Sequence, residues 1–127
     1  MGMKQIFCVV LVVVLCFSLG GCATRGSGTT VVEISSDSMA PTFSAGDRIL
    51  CEAVDPAELE VGDIITYWTI LDGNRVMVTH RIHQIYADGD TLFFSTIGDN
   101  NSMVDSVTVY ESDIIGRYVR KLILGIF

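Results

Sequence analysis

Between Val31 and Arg120 the apolar residues recur in short runs rich in valine, isoleucine, threonine and aromatics, broken at intervals by glycine, aspartate, asparagine and serine. That pattern predicts strands at Val31 to Ser35, Arg48 to Val54, Asp63 to Ile70, Arg75 to Tyr86, Thr91 to Thr96 and Val107 to Arg120. The breaks are turns: Ser44-Ala45-Gly46-Asp47, Leu71-Asp72-Gly73-Asn74 and Ala87-Asp88-Gly89-Asp90. Only Asp55-Pro56-Ala57-Glu58-Leu59-Glu60 reads as helical, a short turn with aspartate as cap and proline at the first position. The fold class expected is mostly β, a small antiparallel β-sheet or partly closed barrel.

A segment of different character precedes the strands. After Lys4 an uncharged apolar run from Ile6 to Leu19 continues through Gly20-Gly21-Cys22-Ala23, close to the shortest length that spans a bilayer as a helix. It reads either as an N-terminal anchor helix with Lys4 inside, or as a lipoprotein-type signal in which Leu19-Gly20-Gly21-Cys22 resembles a lipobox and Cys22 is lipidated. Both readings place the strand-rich region on the extracytoplasmic face of the cytoplasmic membrane. The expected division is therefore 1–23 as anchor or signal, 24–30 as a polar linker and 31–127 as one β domain.

Composition narrows the function. The formal net charge of −7 over 127 residues disfavours nucleic acid as a partner. The exception is the tail from Gly116 to Phe127, where Arg117, Arg120 and Lys121 precede an apolar end that reads as lipid-contacting or as a terminal core strand. Of the cysteines Cys8, Cys16, Cys22 and Cys51, only the last belongs to the β domain, so no disulfide is expected inside it.

Candidate chemistry begins at Ser36-Asp37-Ser38-Met39-Ala40-Pro41-Thr42-Phe43. Pro41 restricts Ala40 and cannot extend a helix, so Ser38 is expected at a bend, exposed enough to act as a nucleophile or simply to be a loop serine. A serine hydroxyl needs a base. The two lysines, Lys4 and Lys121, lie at the ends of the chain, which leaves His80 and His83 in Val76 to Ile85. On a strand these point to opposite faces, which argues against a shared zinc ion. A polar cluster, Gly98-Asp99-Asn100-Asn101 with Asp105, offers Asp99 or Asp105 as the acid that would orient an imidazole. The same cluster lacks the acidic spacing of a calcium-binding loop. No cofactor and no metal is called for.

Taken in order, Ser36 to Thr42, Gly62 to Tyr67, Thr79-His80-Arg81-Ile82, and Gly98 to Asn101 followed by Asp105 resemble the type I signal peptidases of the peptidase S26 superfamily. The closer likeness is to the endoplasmic-reticulum and archaeal branch, in which histidine replaces a lysine base. The resemblance runs from Val31 to Phe127. It implies a signal-peptidase-type catalytic β domain with Ser38 as nucleophile, His80 as general base and Asp105 as the acidic member, supported by Asp99. Ser36 then corresponds to the serine that donates to the oxyanion. Asp37 stands where relatives often have glycine and is expected to face solvent, and His83 is assigned a structural role. The implied activity is a membrane-bound serine endopeptidase cutting signal peptides after small residues. Its implied partners are exported preproteins, membrane lipid and the secretion translocon. The alternatives are a dedicated processing protease for a few proteins, an inactive lipid-anchored β interaction module, and a self-cleaving repressor, the last lacking here both its lysine base and a DNA-binding region.

Overall fold

The computed structural model describes residues 28–123. The anchor or signal at 1–23, Cys22, most of the expected linker and residues 124–127 lie outside them. Seven strands form one antiparallel sheet: β1 (Thr29–Glu33), β2 (Arg48–Glu52), β3 (Ile64–Leu71), β4 (Asn74–Asp88), β5 (Thr91–Ile97), β6 (Val109–Tyr110) and β7 (Ile114–Leu122). Their order is β1-β2-β7-β3-β4-β5-β6. The sheet is open, because its two edge strands, β1 and β6, do not pair with each other. Of the two expected alternatives the antiparallel sheet is the one found, and the partly closed barrel is corrected accordingly.

Strand boundaries differ from expectation for local reasons. β1 starts at Thr29, since Thr29 and Thr30 pair with Glu52 and Cys51. The single run expected from Val107 to Arg120 is split by a 3-10 turn at Glu111–Asp113, where the Asp113 carboxylate accepts the Tyr110 N–H at 3.1 Å. Asp55 caps the other 3-10 turn, Pro56–Glu58, by accepting from the Ala57 N–H at 3.1 Å. The basic tail as far as Leu122 is β7, paired with β2 and β3, and Arg117 and Lys121 reach Glu52 and Asp47 at 3.3 and 3.1 Å.

Two apolar clusters hold the sheet. One gathers Val32, Ile34, Met39, Phe43, Ile49, Cys51 and Ile64. The other gathers Leu59, Ile65, Tyr67, Ile82, Phe94 and Val109. Successive residues of β3 thus serve different clusters, as strand alternation requires. Met39 and Phe43 belong to the turn that carries Ser38, each is 1% exposed, and the Phe43 ring meets Tyr118 edge-on at 4.9 Å. Burying such side chains stabilises by about 1.5–3 kcal/mol each, so the turn is pinned from below.

Candidate active site

The turn after β1 is built to hold a serine still. Ile34 N–H donates to Asp47 O at 2.8 Å and Gly46 N–H to Ile34 O at 2.7 Å, fixing the strand end, and Ala40 N–H donates to Asp37 O at 3.0 Å to close the bend. The Ala40–Pro41 peptide is cis. Asp37 is exposed, but its carboxylate is spoken for: Oδ1 accepts from the Ala45 N–H at 3.0 Å. Its charge therefore serves the turn instead of facing the histidine.

His80 lies on β4 opposite Ile65 of β3 and is 8% exposed. Its Nε2 is 3.0 Å from Ser38 Oγ and its Nδ1 is 2.5 Å from Asp105 Oδ2. An ionised carboxylate only accepts, so Nδ1 carries the proton, Nε2 is the acceptor, and the Ser38 hydroxyl donates to it. Ser36 Oγ donates to Ser38 Oγ at 3.1 Å, and Ser38 N–H lies 3.4 Å from Ser36 Oγ. Ser36, Ser38, His80 and Asp105 thus form one hydrogen-bonded row. His83 is not part of it. It sits at the bulge between Ile82 and Gln84 and is exposed.

Asp99 occupies a different place from Asp105. Arg81 grips it with both arms, Nε to Oδ1 and Nη2 to Oδ2 at 2.8 Å each, while Nη1 donates to Gly62 O at 2.8 Å. Thr42 Oγ1 also donates to Asp99 Oδ2, at 2.6 Å. The clamp ties the serine turn to the histidine strand, with the Asn100 N–H donating to Ser38 O at 2.8 Å as a further tie. The Arg81 guanidinium is the main cause of a lowered Asp99 pKa, with Thr42 adding to it. A carboxylate with a depressed pKa stabilises the fold above the ordinary aspartate range and loses that contribution as pH falls through its own lowered value. Asp99→Asn is expected to reduce the unfolding free energy at pH 7 by about 1–2 kcal/mol, discounted for partial exposure. Urea unfolding at pH 7 and at pH 3 checks this. The gap should shrink at pH 3, and a gap independent of pH would count against the clamp.

A groove of about 400 Å³ runs beside the row, bordered by Val32, Ile34, Ser36, Val76, Val78 and His80. A smaller recess of about 120 Å³ lies on the Asp105 side of His80, against Tyr67, Leu71 and Val107. β1 pairs only with β2, so its other edge is open beside the larger groove. An extended peptide can add to such an edge through main-chain hydrogen bonds. Among the described residues no three histidine, cysteine, aspartate or glutamate side chains converge as metal ligands. Cys51 is buried, its thiol pKa is pushed up by that burial, and it hydrogen-bonds Thr66.

A family model described as Peptidase S24-like matches residues 14–119. This chain belongs to the Peptidase S24-like family. Signal peptidase I W of Bacillus subtilis (strain 168) is 36% identical over 121 residues, covering 89% of this chain and 62% of the relative. The signal peptidase complex catalytic subunit sec11 of Dictyostelium discoideum is 36% identical over 87 residues, 68% of this chain and 46% of its own. The catalytic subunit SEC11 of Scheffersomyces stipitis is 33% identical over 108 residues, 76% and 63% respectively. The chain thus spans roughly half to just under two-thirds of the length of these curated relatives, whose names agree with the signal-peptidase resemblance carried by the four segments between Ser36 and Asp105.

The sequence reading passes over two residues that this S24-like sheet brings to the row. Thr96 of β5 donates from Oγ1 to Asp105 Oδ2 at 2.7 Å, and Tyr67 OH lies 2.8 Å from Thr96 Oγ1. A legible signal existed for Tyr67. It shares strand phase with Ile65, so its ring should be buried, and a buried tyrosine hydroxyl needs a partner.

Proposed function

We propose that the chain is a serine endopeptidase that removes signal peptides from exported preproteins after small residues, using Ser38 as nucleophile and His80 as general base. The observation that carries this reading is the row Ser38 Oγ to His80 Nε2 to Asp105 at 3.0 and 2.5 Å. Ser38 attacks the scissile carbonyl as its proton passes to Nε2, and Asp105 holds the imidazole in the tautomer that can take it. His80 then gives that proton to the leaving amine, and the acyl-enzyme is hydrolysed by water activated by the same nitrogen. Once Ser38 Oγ is bonded to substrate, the Ser36 hydroxyl is released to turn toward the oxyanion beside the Ser38 N–H. Asp99 supports the site through the Arg81 clamp. The groove beside β1 accommodates an extended peptide, with small side chains of the Ala-x-Ala kind entering its shallow parts.

The sequence of residues 1–23 supports attachment to the outer face of the cytoplasmic membrane, by an anchor helix or through lipid on Cys22. Among the described residues no helix is long and apolar enough to cross a membrane. Membrane lipid and the secretion translocon are the partners this placement implies, and the range of preproteins served, broad or restricted to a few, belongs to the same reading.

The test is incubation of the full chain in liposomes with a preprotein carrying an Ala-x-Ala site. The expected result is one cut at that site, identified by the new N-terminus, together with acylation at Ser38 by a serine-directed β-lactam or lactone, located by peptide mass. Cutting elsewhere, or acylation of another residue, would overturn the reading.

A further inference from the structure

Asp105 is more heavily bonded than the orientation of one imidazole requires, and every one of its side-chain bonds falls on the same oxygen. Oδ2 takes His80 Nδ1 at 2.5 Å and Thr96 Oγ1 at 2.7 Å, with the Tyr67 oxygen a longer 3.5 Å away, while the Asp105 N–H donates to Thr96 O at 2.9 Å. Thr96 is thus the residue that grips Asp105 by both backbone and side chain. Its hydroxyl has one proton. With that proton on Asp105, Thr96 Oγ1 is left as an acceptor, and the Tyr67 hydroxyl at 2.8 Å must be its donor. Tyr67 and Thr96 are 2% and 0% exposed, so both hydroxyls are shielded from bulk solvent, whereas the Asp105 side chain is 20% exposed and could turn toward solvent if released.

From this geometry we infer that Thr96 and Tyr67 are positioning residues of the active site, a buried donor relay that points inward from Tyr67 through Thr96 and keeps Asp105 Oδ2 against His80 Nδ1. The inference rests on the proposed Ser38–His80–Asp105 mechanism. β3, β4 and β5 each supply one member, Tyr67, His80 and Thr96, and they share one face of the sheet because Val78 and Ile82, two residues either side of His80, pair with Tyr67 and Thr96. Burial keeps the Tyr67 phenol protonated well above the ordinary range, so the relay has its donor at every pH at which the enzyme would act. Of the other carboxylates near the site, Asp99 is paired with Arg81 and also feels the charge of His80, and the Asp37 carboxylate accepts from the Ala45 N–H. Asp105 is the carboxylate bonded directly to the imidazole.

Thr96→Val keeps the shape of the side chain and removes its hydroxyl. The expected result is a fall in kcat/KM of about 10- to 100-fold, the size expected when a buried charge-assisted hydrogen bond is lost. The acid limb of the pH profile should move to lower pH by about half a unit or more, because an imidazolium without its carboxylate is harder to form. Tyr67→Phe should move both in the same direction by less, and Thr96→Ser should restore both. A purely structural hydroxyl would lower the melting temperature of Thr96→Val and leave the acid limb where it is. A second readout needs no substrate: in the ¹⁵N-labelled protein the His80 Nδ1–H proton line, protected by its bond to Asp105, should broaden or vanish in Thr96→Val and persist in Thr96→Ser. An unchanged line in folded Thr96→Val overturns the relay. An inert wild type whose line responds to Thr96→Val overturns the peptidase reading and leaves the relay standing. If Thr96→Val does not fold, the same line in Tyr67→Phe and Thr96→Ser decides.

Discussion

Ser38→Ala and His80→Ala are each expected to lower kcat/KM on an Ala-x-Ala preprotein by about 10⁴-fold or more, with the double variant little worse than either alone. The physical reason is that the two side chains perform one act. A serine hydroxyl at neutral pH attacks a peptide carbonyl at a useful rate only while its proton is being taken, and Nε2, 3.0 Å away, is the basic side-chain atom bonded to it. Lys121, the lysine among the described residues, is paired with Asp47 at 3.1 Å and is not bonded to Ser38. Removing either partner therefore leaves only whatever Ser36, the Ser38 N–H and substrate binding contribute. Initial rates with N-terminal sequencing of the product measure the effect, alongside circular dichroism to confirm that both variants fold. Additive losses, in which the double variant falls by the product of the single effects, would show that Ser38 and His80 act in separate steps and would sink the shared mechanism.

Ser38, His80 and the pair of aspartates were legible because each sits in a local motif: a serine turn closed by proline, a β-branched strand, and a glycine-aspartate turn. Which aspartate meets His80 was not legible from spacing. Asp99 and Asp105 are six residues apart in one loop region, and only the packing of that region against β4 sends the first to Arg81 and the second to Nδ1. The residues beneath Asp105 were harder still, because Tyr67 and Thr96 are 29 positions apart and meet through β4, which pairs with both β3 and β5. Period-two alternation places a side chain on a face but does not give the register that brings two faces together. The choice between sheet and partly closed barrel stayed open for a related reason. Runs of alternating residues announce strands, whereas curvature comes from bulges such as those at Leu50/Cys51 and Ile82/Gln84, which leave no composition signal. The Glu111–Asp113 turn hid inside an apparent strand because Val107, Val109, Ile114 and Ile115 maintain a β-like composition on either side of it.

Gly98→Ala is the substitution expected to damage the site most without touching a reacting group. A Cβ on Gly98 would lie 2.6 Å from Ser38 O and 2.7 Å from Asn101 Nδ2, closer than side-chain carbons are found to approach such atoms. Asn101 is exposed and its side chain can swing away. Ser38 O cannot yield so cheaply, since it belongs to the backbone of the nucleophile and accepts the Asn100 N–H at 2.8 Å. Relief requires the serine turn and the turn after β5 to part by several tenths of an ångström, and that motion carries Ser38 Oγ away from Nε2. Overpacking of this kind costs about 1–3 kcal/mol of stability, and a displaced nucleophile costs about 100-fold in rate. The expected signature is a kcat far more affected than KM, because the groove beside β1 is left in place while the attack geometry is not. Asn101→Ala in the same background separates the two contacts. If Gly98→Ala/Asn101→Ala remains about 100-fold impaired, the contact with Ser38 O is the cause. If it regains wild-type rates, the obstruction lay with the asparagine side chain, and the proposal that Gly98 holds the nucleophile in register fails.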